Sequence, residues 1–415
     1  MTDSTATTAQ ASSAEQANLE GSGSPARWRV LWALFAGMLY EGVDLAMLGI
    51  VLPVVITAFH ISLPKAGLLV SATNAGALVG GVLFGWFAEN YGRKAAIVWG
   101  LVEIGVFSGA VYVVSTWGAF VAVRFIAGLG IGGLLGPCAA VIGEHWSAKY
   151  RAQATAFITN FAVASIIVSA MGALILGNHY DWRLIFLIGS MSVLAGLYVQ
   201  LAVPKSSSSS PKAGPKKRTR VAELVSPEVR RTTLLLSLFT IFYMAGNWTI
   251  YSWVPTFLVK VRGFSLRNMG LFMVIMYCGS FIGGQLFGMI ARYGRRKALI
   301  IACLWNVILL PIYLFSTSSQ FLFWSAFVLM FGIGGIPAIF GTFAVELFPK
   351  EIRAMGTGST FNFGRIGAFL SPFVAGFVGQ HYGLRAGIGL APIYYLLAVA
   401  ILLCLPESVS KKVAF

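Results

Sequence analysis

The chain is short of charge. Only 11% of its 415 residues are Asp, Glu, Lys or Arg, against about 25% in a soluble domain. So few charges cannot cover a globular surface, and the exterior has to face an apolar medium. Acid is scarcer still, with 14 Asp and Glu against 30 Lys and Arg, a net charge of +16. In a soluble protein that excess would point to nucleic acid. In a chain that is 57% hydrophobic with a mean hydropathy of +0.80 it points instead to basic cytosolic loops, and no nucleic-acid partner is expected. The four cysteines, Cys138, Cys278, Cys303 and Cys404, all lie in apolar runs without metal or redox spacing and read as small core hydrophobes. The four histidines, His60, His145, His179 and His381, lie near the ends of such runs. They form no Ser/His/Asp or metal arrangement, so neither an enzyme nor a metal site is expected. Residues 1–26 contain no Lys or Arg and no apolar core, which excludes a signal peptide and reads as a disordered cytosolic tail.

What the chain has in abundance is long apolar runs. A helix needs about 20 apolar residues to cross the hydrocarbon. Twelve stretches qualify, near 28–58, 64–88, 95–114, 117–143, 150–177, 182–203, 231–260, 266–292, 297–315, 319–346, 353–379 and 384–405. The expected fold is therefore an all-α membrane protein in a lipid bilayer. Of the 30 basic residues, 22 fall on the side shared by both termini, 6 on the other, and Arg124 and Arg365 within spans. The excess of positive charge on one side predicts that both termini are cytosolic. Residues 205–230, with a Ser run, several Pro and many basic residues, read as a cytosolic linker between a first half at 27–204 and a second at 231–406; 407–415 form a second tail.

The halves repeat at a spacing of 202 residues. Pro53 meets Pro255, Gly130-Ile-Gly-Gly133 meets Gly332-Ile-Gly-Gly335, Glu144 meets Glu346, and Arg151 meets Arg353. Two like halves suit alternating access, in which one bundle rocks against the other around a central site. Glycines spaced as Gly76/Gly80-Gly81/Gly85 let helices approach closely. The Gly128 to Gly136 set lacks a following Lys-Ser/Thr and is no phosphate loop, so no nucleotide cofactor is implied.

Two segments are specific. Gly85-Trp-Phe-Ala-Glu89-Asn-Tyr-Gly92-Arg93-Lys94 resembles the loop signature of the major facilitator superfamily, and Arg124-Phe-Ile-Ala-Gly-Leu-Gly-Ile-Gly-Gly133 resembles its fourth-helix signature. Glu41-Gly-Val-Asp44, Glu346-Leu-Phe-Pro-Lys-Glu-Ile-Arg353 and Gly364-Arg365-Ile-Gly367 resemble the aromatic-acid and organic-acid proton symporters of that superfamily. Glu41 and Glu89 stand where that pattern has Asp. The resemblance implies two pseudo-symmetric six-helix bundles, a functional monomer in a cytoplasmic membrane, and symport of a small organic anion with protons. It also implies a conformational latch of Gly85, Glu89, Gly92, Arg93, Lys94, Glu144, Arg151, Glu346 and Arg353. The second copy, Gly288 to Lys297, lacks the loop acid, so the latch is expected to be complete only in the first half.

Charges deep in a span cost about 2.5–3.5 kcal/mol each on insertion scales, so such residues normally face a cavity or a partner. Glu41, Asp44, Glu103, Arg124 and Arg365 qualify, and none is repeated: their counterparts are Tyr243, Gly246, Trp305, Ala326 and Val163. Repeated residues then build the shared scaffold, and unrepeated charges serve substrate and ion. Asp44 is read as the proton carrier, because burial among apolar groups favours a neutral carboxyl and a nearby Arg favours a charged one. Rocking that alternately pairs it with Arg124 would couple protonation to access; a static ion pair is the other reading. Arg365 is read as the site for a substrate carboxylate, which its guanidinium matches in two hydrogen bonds; a helix-bridging Arg is the plainer reading. Glu41, three residues before Asp44, either assists coupling or bonds a neighbouring helix. Tyr243, Asn247, Trp248 and Tyr251 recur at helical spacing as a polar-aromatic stripe ending near Pro255, which can break or kink a helix. With Asn362 they form the expected lining for a ring-bearing or small organic anion. The fold would equally serve a facilitator or antiporter for sugars, cations or drugs, or a receptor without flux.

Overall fold

The computed structural model describes residues 25–146, 148–159, 161–204, 221–349 and 352–407. The tails at 1–24 and 408–415 and the linker stretch 205–220 lie outside the described residues, as does the side chain of Arg151. Among the described residues twelve helices are long and apolar enough to cross a membrane. They are α1 (Arg27–Ala58), α2 (Leu63–Tyr91), α3 (Arg93–Val113), α4 (Trp117–His145), α5 (Gln153–Gly177), α6 (Leu184–Ala202), α7 (Arg230–Lys260), α8 (Leu266–Tyr293), α9 (Arg295–Phe315), α10 (Gln320–Leu347), α11 (Met355–Tyr382) and α12 (Leu384–Leu403). The chain is thus a multi-pass membrane protein. Helices are the expected solution, because hydrocarbon offers no partner for a free backbone N–H or C=O. Pro255 does not break α7, which runs continuously through it to Lys260.

The repeat is visible in the backbone. The tight turns into α3 and α9 both hinge on glycines at positive φ, Gly92 at 95° and Gly294 at 152°, where a Cβ would be strained. Within the first half α2 packs on α4 and α3 on α4; within the second, α8 packs on α10 and α7 on α11. These contacts are close because glycines line them. An added Cβ on Gly80 would strike the carbonyl of Leu129, and one on Gly334 the carbonyl of Ser280.

The halves meet through α2 against α11, α5 against α8 and α1 against α7. At the end remote from the termini these contacts are backbone-tight. Gly67 abuts Pro372, Gly376 abuts Leu63, Gly177 abuts Arg267, and the Leu63 N–H donates to Gln380 Oε1 at 3.1 Å. Midway down, Gly81 rests on the Asn362 amide, 2.9 Å from where a Cβ would stand. One turn further towards the termini, a Cβ on Gly85 or on Gly358 would meet nothing within 4 Å. The bundles are therefore sealed at the remote face and part towards the face that carries the termini.

Candidate functional site

Asp44 on α1 and Arg124 on α4 form a two-pronged ion pair, and neither side chain has any exposed surface. Arg124 Nη1 donates to Asp44 Oδ1 at 3.1 Å, and Nη2 donates to Oδ2 in a shorter contact. The Ser108 hydroxyl on α3 also donates to Asp44. Arg124 Nε donates to Thr73 Oγ1 on α2 at 3.4 Å, and its guanidinium lies 5.7 Å from the Phe186 ring centroid on α6. Five helices of the first bundle therefore converge on one buried charge pair. Sequence reasoning missed Ser108 and Thr73. The 202-residue comparison could have found them, since their counterparts Leu310 and Ile275 are apolar.

Both members of this pair belong to the same bundle. Rocking one rigid bundle against the other would leave their separation unchanged, so this geometry has the form of the static ion pair, the other reading of these two residues. Among the described residues, the ion pair that crosses between bundles is Glu41 on α1 with Arg365 on α11, at 3.9 Å. These two side chains keep about a tenth of their surface exposed, 9% for Glu41 and 10% for Arg365. Tyr243 on α7 lies within electrostatic reach of Arg365, and Cys138 on α4 within reach of Glu41.

The seventh helix carries aromatic groups, with Tyr243 near Arg365 and Tyr251 roughly two turns further along the same helix. Tyr243 packs against Phe239 at 5.3 Å and Phe340 at 6.0 Å between ring centroids. Tyr251 lies 5.4 Å from Phe161 on α5, 5.9 Å from Tyr277 on α8 and 6.2 Å from Trp248. Two other expected lining residues are otherwise engaged. The Asn247 Oδ1 accepts a hydrogen bond from Tyr395 Oη on α12 at 2.6 Å, and Asn362 Nδ2 donates to the Leu78 carbonyl on α2 at 3.5 Å. In this conformation those amides pack helices together. Glu103 is half-buried, on the stripe of α3 shared with the exposed Trp99 and Val106, away from the central pair.

At the termini face, Arg93 at the start of α3 pairs with Glu144 at the end of α4 and reaches the Ala140 carbonyl at 3.4 Å. Glu89 is exposed beside it and Lys94 half-buried. The second half lacks the loop acid, and Arg295 pairs with Glu346 at the equivalent corner. Arg353 donates instead to the Phe348 carbonyl at 3.4 Å.

Comparison with known proteins accords with this layout. The cis,cis-muconate transport protein of Acinetobacter baylyi is 26% identical over 374 residues, 87% of this chain and 90% of its own length. The 3-(3-hydroxy-phenyl)propionate transporter of Escherichia coli is 26% identical over 82% of this chain and 84% of its own. The sialic acid transporter NanX of Escherichia coli is also 26% identical, over 88% and 90%. Among solved structures, a bacterial homologue of the human lysosomal transporter Spinster, inward-facing and unoccupied, superposes with a TM-score of 0.77 at 17% identity, covering 92% of this chain and 97% of that one. A D-xylose-proton symporter gives 0.70 at 18% identity, covering 91% and 96%. Residues 34–291 and 269–415 both match the Major Facilitator Superfamily, and with twelve spans in two like bundles around an inter-bundle charge pair, the chain belongs to that superfamily of secondary transporters.

Proposed function

We propose that the protein imports a small organic anion, an aromatic acid or a monocarboxylate, together with protons, by alternating access across a cytoplasmic membrane. The observation that carries this reading is Arg365. It is a buried guanidinium at the interface between bundles, within electrostatic reach of Tyr243, and among the described residues its ion-pair partner is Glu41, in a single-point contact at 3.9 Å. A carboxylate offers that guanidinium two parallel hydrogen bonds, and a ring offers the tyrosines a face to pack on. Relatives that carry muconate and hydroxyphenylpropionate, by name, support the same class. The basic termini face is assigned to the cytosol. The remote seal then makes this conformation inward-facing, the state described for the Spinster homologue.

The test is counterflow in proteoliposomes, with benzoates, short hydroxy acids, sialate and sugars offered in turn. Acids are expected to exchange and sugars not. Exchange of a sugar with no acid accepted would refute the reading.

A further inference from the structure

We infer that Glu41 is the resident counter-anion of Arg365, that the substrate carboxylate takes its place, and that transport is therefore electroneutral at one proton per monoanion. This rests on the proposed function above and specifies its coupling. Of the five deep charges, only Glu41 and Arg365 face each other across the bundle interface. The other buried pair, Asp44 with Arg124, is closed within one bundle and satisfied by Ser108 and Thr73, so it stays neutral and unchanged as the bundles rock.

The argument is a charge balance. With no substrate, Glu41 carboxylate and Arg365 guanidinium sum to zero, and the empty transporter can reorient. When a carboxylate anion binds Arg365, Glu41 loses its partner. It accepts a proton from hydronium on whichever side the site is open, one hydronium O–H bond breaking as the carboxyl O–H bond forms and leaving neutral water, and the interface again sums to zero. The two mixed states both carry net charge. Substrate with ionised Glu41 gives one excess negative charge, and protonated Glu41 without substrate leaves Arg365 unpaired. An unpaired charge in a low-dielectric interior is strongly disfavoured, so these states do not reorient, and neither proton nor anion crosses alone. The 3.9 Å separation suits the exchange, being too long for a strong hydrogen bond and short enough for charge pairing. The other groups near this pair are Cys138 on α4 and Tyr243 on α7. Asp44, next along α1, is held by Arg124, and Glu103 of α3 lies on the outer stripe of that helix.

The experiment uses the full-length protein in proteoliposomes, with the acid among benzoate, lactate and sialate that gives the fastest counterflow. If none exchanges, the anion reading itself fails. With that acid, a pH gradient is expected to drive accumulation of roughly tenfold per pH unit, and an inside-negative potassium diffusion potential set with valinomycin is expected to drive none. Apparent affinity should weaken as pH rises, because ionised Glu41 then competes for Arg365. Glu41→Gln should make that affinity independent of pH, and should abolish the one-proton uptake that accompanies acid binding in weakly buffered detergent solution. Accumulation driven by potential alone, or about a hundredfold per pH unit, would overturn the inference while leaving anion transport intact. Proton uptake that survives Glu41→Gln and vanishes in Asp44→Asn would overturn it too, by moving coupling to Asp44. Should Glu41→Gln fail to fold, the two wild-type driving-force measurements still judge the claim.

Discussion

Replacing Asp44 with alanine removes the acceptor shared by Arg124 Nη1, Arg124 Nη2 and Ser108 Oγ, leaving Nη1 only the Ser108 hydroxyl at 3.4 Å. Arg124 has no exposed surface, so water cannot take the place of the lost carboxylate. Removing one partner from a buried pair leaves an uncompensated charge and costs about 3–5 kcal/mol. Replacing both partners by apolar residues removes the charge itself, and such exchanges are often neutral. In the double variant Asp44→Ala, Arg124→Leu, Thr73 keeps its own acceptor, the Leu69 carbonyl at 3.4 Å, and only Ser108 is left without a partner. That residual penalty is about 1–3 kcal/mol, so the double variant should be more stable than the single one. The assay is equilibrium unfolding of purified protein in mixed micelles, with a double-mutant cycle completed by Arg124→Leu. A single Asp44→Ala variant within about 1 kcal/mol of wild type, well below the expected range, would refute the reasoning. So would a double variant damaged by the sum of the two single losses.

Three further outcomes are expected. Arg365→Lys keeps the charge but loses the two-pronged match, so apparent affinity for a carboxylate substrate should fall by about tenfold or more in concentration-dependent counterflow; unchanged affinity would argue against bidentate binding. Gly67→Val places a side chain against the Pro372 carbonyl and the Phe373 Cα, so α2 and α11 cannot close at the remote face. Overpacking of this kind costs about 1–3 kcal/mol, and labelling of cysteines introduced at that face should speed up by a corresponding factor of about 5 to 150; an unchanged rate counts against the seal. Arg93→Ala removes a partly exposed pair worth up to about 1 kcal/mol, so it should alter exchange rates while leaving the preference among acids as it was, which a substrate panel would reveal.

The spans were legible because hydrocarbon imposes one rule on every helix, a run of about 20 apolar residues. Their edges differ from expectation by a few residues, as at α2, where a span expected over 64–88 runs over Leu63–Tyr91. The deep charges were legible too, since burying them without use is costly. The meeting of Asp44 with Arg124 was legible as well, and that of Glu41 with Arg365 was not. Glu41 and Asp44 stand three residues apart, about 60° around a helix of 3.6 residues per turn. On a helix lining the boundary between bundles, that angle is enough to send Asp44 into its own bundle and Glu41 across to the other. Helical spacing alone does not reveal where the boundary runs. The same difficulty applies to Asn247 and Asn362, whose amides look like ligand groups in the sequence and serve α12 and α2 in the structure. The corner pair of the second half follows from the same spacing, since Arg295 and Glu346 stand 202 residues after Arg93 and Glu144.

The empty surroundings of Gly85 and Gly358 carry a consequence for how mutational data on this protein should be interpreted. Under the proposed alternating access, those vacant flanks would be clearance for the moment when the opposite mouth opens and this one shuts. A methyl group added there would be silent in the state seen now and obstructive in the one that follows. Loss of turnover without loss of folded protein at such positions would report on the closed geometry of this mouth.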